Sequence, residues 1–164
     1  MTTIETIGTM RALDAERGAI RVEELFDTHI DDLWEACTDP ERLARWIAEV
    51  SGDLRVGGVI QATFTSSWTG PGRIEVCEAP RHLLLIMEPG TQDEAQIEAW
   101  LSDAGARTRL VVEERGLPLY HLPFHAAGWQ AHLEDLARSI NGEPPAWRER
   151  WTELTPVYQA QQVG

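Results

Sequence analysis

Seven tryptophans, at positions 34, 46, 68, 100, 129, 147 and 151, are the residues best suited to recognition chemistry. An indole joins a large apolar surface to one N–H donor, which suits a ligand-cavity wall as well as a packed core. Ligand sites are concave and mostly apolar, with a few polar groups to fix orientation. On that basis Phe64, Trp68, Ile74, Met87, Trp129 and Leu133 are the first candidates for a cavity lining. Trp34, Trp46, Trp100 and Phe124 stand beside them as ligand-binding candidates. Core packing is the competing reading for each. Inward phase is inferred from alternation, and a one-residue slip would reverse a strand's whole set.

Ionisable groups offer less. His121-x3-His125 would set two imidazoles one turn apart, but Pro123 interrupts or starts the helix, and no third ligand follows at a metal-site spacing. His29 and His82 are scattered, and His132 and Asp135, three apart on a helix, read as a surface pair. Cys37 closes a helix, where the dipole raises a thiol pKa, so it is a poor nucleophile. The chain has no G-x-S-x-G, P-loop or G-x-G-x-x-G. Glu113 and Glu114 must face opposite sides of one strand. Glu114 shares the phase of Leu110 and Val112, so it is either a buried carboxyl of shifted pKa or a strand-end group reaching solvent. No catalytic set, cofactor or metal site is predicted.

A long helix and a run of strands must position these groups. From Phe124 to Ile140, Trp129, Leu133, Leu136 and Ile140 recur at spacings of four, three and four, which makes one apolar stripe. Glu134, Asp135 and Arg138 lie away from it, and Glu134 with Arg138 has the favourable i,i+4 order of an ion pair. Asn141-Gly142, then Pro144-Pro145, ends the helix. Gly128 inside it lowers stability by about 1 kcal/mol relative to Ala. It reads as space left for a ligand, as close packing of the helix on the sheet, or as a local bend.

Upstream, Ile7–Leu13 and Ala19–Phe26 read as a hairpin around Asp14–Gly18, with Ile20, Val22 and Phe26 alternating against Arg21 and Glu23. Two short helices follow. The first, Asp31–Cys37, is opened by a capping-box-like Thr28-His-Ile-Asp31, and the second, Pro40–Ile47, by Thr38-Asp39-Pro40. Five strands are predicted next, over Val59–Trp68, Arg73–Glu78, His82–Glu88, Glu94–Ser102 and Ala106–Arg115. Ile60, Ala62, Phe64 and Trp68 share one phase, and Ile74 and Val76 oppose Arg73 and Glu75. Thr69–Gly72 is a predicted turn, and Ser51–Gly58 and Gly116–Pro123 are predicted loops. Gly57-Gly58 calls for positive φ or a close backbone approach. Residues 1–6 are polar and read as a loose leader. After Gly142, Trp147, Trp151 and Leu154 share a helical face. This appendage packs on the outside of the domain, covers a cavity mouth, or meets a second copy as a homodimer contact.

Composition bounds the rest. The chain's 164 residues allow one domain with a real core, expected over 1–142 with the appendage 143–164 packed on it. A net charge of −13 argues against nucleic acid and anionic membrane as partners. No stretch approaches the ~20 apolar residues of a membrane span, and the N-terminus carries no secretory signal, so a cytoplasmic location is expected. Cys37 and Cys77 each lie in an apolar stretch and read as buried free thiols. Consecutive strands with short turns and segregated helices give an α+β class with an antiparallel sheet.

Several of these motifs carry a resemblance. They are Trp34…Thr38-Asp39-Pro40-Glu41…Leu43…Trp46, Asp53-Leu-Arg-Val-Gly-Gly58, Gly72-Arg-Ile-Glu…Pro80, Thr108-Arg-Leu, and Gly128-Trp129…Leu133…Leu136. Their order and spacing, from about Ile20 to Ile140, resemble the activator of heat-shock-protein-90 ATPase homologue-like family of the START-like, or SRPBCC, superfamily. The resemblance implies a helix-grip fold: a curved antiparallel sheet around a long C-terminal helix, with two short helices between the first core strands. It implies a cavity between sheet and helix for a small hydrophobic molecule such as a lipid, sterol or polyketide. A cyclase or hydrolase using that cavity is the alternative, and a co-chaperone-like interaction module with a chaperone partner is another. The chain lacks room for the separate N-terminal domain of the eukaryotic co-chaperones, which places the chaperone role in doubt.

Overall fold

The computed structural model describes residues 3–164. β1 (Gly8–Ala12) and β2 (Arg17–Phe26) make the expected hairpin, and the Asp14 carboxylate accepts the backbone N–H groups of Glu16 and Arg17 in its turn. α1 (Ile30–Thr38) and α2 (Pro40–Leu43) then carry the chain across to the far edge of the sheet. From there β3 (Ala48–Gly52), β4 (Val59–Phe64), β5 (Thr69–Glu78), β6 (His82–Met87), β7 (Ala95–Ala104) and β8 (Arg107–Pro118) run back as a meander. β8 pairs with β2, so one antiparallel sheet has the order β1-β2-β8-β7-β6-β5-β4-β3. A single 3-10 turn, Leu119–His121, leads into α3 (Leu122–Ile140), and α4 (Trp147–Gln159) follows. The class is α+β: a curved sheet gripping one long helix.

Local chemistry accounts for where these elements depart from expectation. At α1 the cap is His29, whose Nδ1 accepts from the Asp31 N–H, while the Thr28 hydroxyl donates to Asp32. β3 takes the first two residues of the predicted loop, Ser51 and Gly52; it is five residues long with only Ala48 buried, too short for alternation to register. Thr69–Gly72 is strand, not turn: the reversal falls at Thr65–Ser67, and Gly70 and Gly72 pair with Ala62 and Ile60. An added Cβ would lie 2.9 Å from the Trp68 ring at Gly70 and press on the Met87 sulfur at 3.0 Å at Gly72. A register shift between Ile74 and Val76 puts them out of phase. Gly57 takes positive φ (+84°), and at Gly58 an added Cβ would lie 2.3 Å from the Asp53 carbonyl oxygen. β8 runs on to Pro118, and α3 starts two residues early with Pro123 in its first turn.

α3 is buried on two sides. Leu133 and Leu136 belong to the core shared with the sheet. The side expected to face solvent is covered by α4. Asp135 is therefore buried, and Glu134 pairs with Arg150 of α4 instead of with Arg138, whose guanidinium donates to the Pro144 carbonyl. Gly128 packs against Trp147 and Trp151 of α4, not against the sheet. The Trp147 and Trp151 indole N–H groups donate to the Gly128 and Phe124 carbonyls, one turn apart on α3. At the other end of α4 the Tyr158 hydroxyl accepts the Gly8 N–H and donates to Gln130. Of the leader, residues 1 and 2 lie outside the described residues. Its remainder is anchored, with the Glu5 carbonyl accepting from Gln130 and Thr6 donating to Gln161. Cys37 is half-buried, whereas Cys77 is exposed to solvent; both are free thiols. Among the described residues no helix is long and apolar enough to cross a membrane.

The N-terminus of α4 has no cap of its own; the Asp135 carboxylate supplies one from α3, accepting the Ala146 N–H at 2.7 Å. Asp135→Ala would orphan that donor inside the protein and is expected to cost about 1–3 kcal/mol. The readout is a lower urea midpoint at unchanged m-value. An unmoved midpoint would show that α4 is held without this bond.

Candidate functional site

The inward phase of β8 runs Thr108, Leu110, Val112 and then Glu114, which is its one ionisable group and pairs across to Ile20 and Ile97. The residue is 7% exposed. A carboxylate there needs donors, and α3 brings two: Trp129 Nε1 at 3.0 Å and His125 Nδ1 at 2.9 Å, both on Oε1. Glu113, on the opposite face, is bound instead by Arg11 and Arg115. The spacing of α3 makes the first arrangement possible. Its apolar stripe, followed back from Trp129, continues at His125 and His121, so the helix turns polar toward its N-terminal end while keeping the same face inward.

A cavity of about 430 Å³ lies at that end of α3. Six aromatic side chains, Phe64, Trp68, Phe124, Trp129, Trp147 and Trp151, contribute to its walls. Glu114, His121, His125 and His132 add polar groups, with Arg17, Arg148, Glu88 and Asp93 among the charged ones. Past Trp129, toward α2 and β3, is a second, inner cavity of about 130 Å³ with a nearly all-apolar lining that reaches the exposed Leu54 and Cys77. Phe64, Met87, Ile97 and Trp129 line both and form the partition between them. His132 is caged by rings. Trp147 stacks on it at 5.4 Å between centroids, and Phe64 and Trp129 meet it edge-on at 6.0 and 5.6 Å.

The three histidines differ in charge for physical reasons. Burial pulls His125 toward the neutral form, but the charge of Glu114 and the hydrogen bond to it outweigh that and hold the imidazole above its ordinary pKa. His121 is lowered, first by burial and then by the neighbouring His125 charge, with Asp93 opposing. Burial drives His132 down to about 3, against a hydrogen bond with the Trp46 backbone that favours the charged form, so it is neutral, and its Nδ1 has no hydrogen-bond partner within the protein. Burial also pushes the Cys37 thiol up to about 12, which removes it as a nucleophile. Among the described residues no cluster of three or more His, Cys, Asp or Glu is arranged to hold a metal ion.

Of the residues picked from the sequence, Trp68 and Phe124 line the outer chamber, Trp46 and Ile74 the inner one, and Phe64, Met87 and Trp129 both. Three line neither. Trp100 is out of phase: Ala95, Ile97, Ala99 and Leu101 point inward along β7, and Trp100 stacks on His82 on the opposite face. Leu133 is fully buried in the core. Trp34 is half-buried and packs against the core from α1. The register shift in β5 brings Cys77, not Val76, to the inner lining with Ile74. Pattern reading passed over His121, His125, Trp147 and Trp151 as lining, and read His132 as a surface residue. The backward continuation of the α3 stripe was the available signal for His121 and His125. For Trp147 and Trp151 the signal was their shared helical face, one reading of which was a cover over a cavity mouth; for His132 it was the spacing of three from Trp129 and four to Leu136.

The family model for Activator of Hsp90 ATPase homolog 1-like protein matches residues 27–141. No curated protein matches the chain. Among solved structures, CalU16 from Micromonospora echinospora is 30% identical with a TM-score of 0.75, over 95% of this chain and 96% of that one. DynU16, from the dynemicin biosynthetic locus, is 27% identical with a TM-score of 0.70; the match covers 77% of this chain but 49% of that one. The protein encoded by BPP1335 of Bordetella parapertussis is similar in fold, with 24% identity and a TM-score of 0.71 over 100% of this chain and 97% of that one.

The neutral His132 has a measurable consequence. Its folded pKa lies below the unfolded value of about 6.5, so the unfolded chain protonates first as pH falls. The stability His132 contributes is complete above pH 6.5 and drains away toward pH 3, at about 1.4 kcal/mol per pH unit. Between pH 7 and 4.5, urea denaturation of His132→Phe should lose about 2–3 kcal/mol less than wild type. Parallel pH profiles would show that His132 is not held neutral.

Proposed function

Because this chain belongs to the Activator of Hsp90 ATPase homolog 1-like protein family, and its grip leaves an open chamber at one end of α3, we propose that it binds a small hydrophobic molecule there. The observation that carries this reading is the set of six aromatic side chains around about 430 Å³ of space. Rings on several sides favour a flat, aromatic guest over a flexible chain, because stacked and edge-on contacts add to area burial. The inner apolar chamber extends the space for a hydrophobic end of the molecule. Four of the seven tryptophans line the outer chamber, so occupancy would quench intrinsic fluorescence.

A neutral aromatic probe, N-phenyl-1-naphthylamine, is the direct test. Saturable binding is expected, with quenched tryptophan emission and a raised melting temperature. Ala95 faces the chamber from β7, and Ala95→Phe should weaken binding about ten-fold by filling it, at an overpacking cost of about 1–3 kcal/mol. Failure of the folded protein to take up this probe, and of native mass spectrometry to find fatty acids, sterols or aromatic polyketides bound, would overturn the reading.

One observation favours a second reading, an enzyme that uses the same chamber. Glu114 and His125 are two ionisable groups that meet in its wall at hydrogen-bond distance, an arrangement fit for proton transfer. Under this reading a bound ligand is chemically converted and Glu114→Gln abolishes conversion but not binding.

A further inference from the structure

We propose that the chamber selects an aromatic ligand bearing an anionic or acidic oxygen group, such as a carboxylate or an acidic phenol, and that His125 Nε2–H docks that group. The inference rests on the binding reading above and names the polar end of the guest. Glu114 occupies Nδ1 of His125 at 2.9 Å, so Nε2 is the ring nitrogen left for a ligand. The His125 side chain retains 37% of its exposure while Glu114 behind it retains 10%, so a guest meets the imidazole and not the carboxylate. Trp129 donates to the same carboxylate oxygen and keeps it directed at α3. A carboxylate behind an imidazole fixes the ring, its tautomer and its positive form, and leaves a charge-assisted donor on the open side.

A second observation points the same way. The chain carries 27 acidic and 14 basic residues, so a basic side chain without an acidic partner runs against the trend. Two arginines line this chamber. Arg17 donates to the Gly116 and Gln92 carbonyls, and the Arg148 guanidinium lies 5.9 Å from the centre of the Trp147 ring. Arg17 acts on the Asp14 carboxylate only weakly, as the last of the causes that lower it, and its guanidinium donates to carbonyls instead. The other titratable groups of the lining are Glu88 and Asp93 at the rim, Glu114 behind His125, and the neutral His121 and His132. The lining is therefore close to neutral overall in a strongly acidic protein, with its charge-assisted donor at His125.

Two probes of one skeleton separate the claims: N-phenyl-1-naphthylamine, which is neutral, and 1-anilinonaphthalene-8-sulfonate, which adds only a permanent anion. With wild-type protein the affinity ratio of sulfonate to neutral probe should fall about ten-fold between pH 6 and pH 9 as His125 loses its proton. The neutral probe's own affinity should not change. In His125→Phe and His125→Gln the ratio should be flat with pH, and in Glu114→Gln the midpoint of the fall should move to lower pH. Uptake of the neutral probe by each variant reports an intact chamber. If wild type binds the neutral probe but the ratio is constant, or still falls in both His125 variants, the docking role is wrong and the cavity reading survives. If the folded wild type binds neither probe, both are wrong.

Discussion

The carboxylate of Glu114 is the constraint on which the site depends. It is set by strand alternation into a layer of isoleucines, where an ionised group without donors is costly. The sheet cannot satisfy it, since its neighbours Ile20 and Ile97 have apolar side chains. The donors come from α3, and each does a second thing. Trp129 forms part of the partition between chambers, and His125 is held above its ordinary pKa. The need of one buried group thus sets the helix against the sheet at one end and builds a polar wall beside an aromatic one.

Polarity is graded along the grip. Near the C-terminal part of α3 the contact is solid core, with Leu133 and Leu136 against the sheet. Past the Phe64, Met87, Ile97 and Trp129 partition the space widens, and the carboxylate, guanidinium and imidazole groups line that larger chamber, whereas the smaller one has only the Cys37 and Cys77 thiols. A guest lying along this gradient would bury its apolar end and keep its polar end near the histidines. The Hsp90-activator description attaches to the family; the features of this chain that bear on function are the chamber and its lining. Amphipathic space of this kind orients a ligand before any specific hydrogen bond forms.

Much of the architecture was legible because it repeats. Alternation along β2, β4 and β8 and the α3 stripe mark the inner face by residue type alone, and the spaced motifs from Ile20 to Ile140 resembled the family whose model matches. What escaped depends on single insertions or distant contacts. The register shift after Ile74 reverses one strand's phase, and nothing in its composition announces a bulge. Trp100 looks like cavity material by type, yet its phase sends it to the outer face. Asp135 looks like a surface residue because helical geometry places it off the stripe, and α4 covers it; His132, three residues after Trp129, flanks the stripe and is enclosed by Phe64 and Trp129 as well as by Trp147 of α4. The histidines at 121 and 125 were discounted for lack of a third metal ligand, although their position on the stripe already placed them inside.

The fastening of α4 has a consequence for time. It is held at its start by Asp135, in its first turns by two indole bonds to α3 carbonyls, and at its end by Tyr158 between Gly8 and Gln130. A helix fixed at so many points does not swing as a flap without breaking all of them together. The Phe124 side of the mouth is different: Phe124 is 38% exposed, and its ring lies 6.4 Å from that of Trp151. Passage there needs only side-chain rotation, a picosecond-to-nanosecond event when exposed, whereas segment motion takes microseconds to milliseconds. A ring can turn on that side while α4 stays fastened, so the two walls of the mouth move on different timescales.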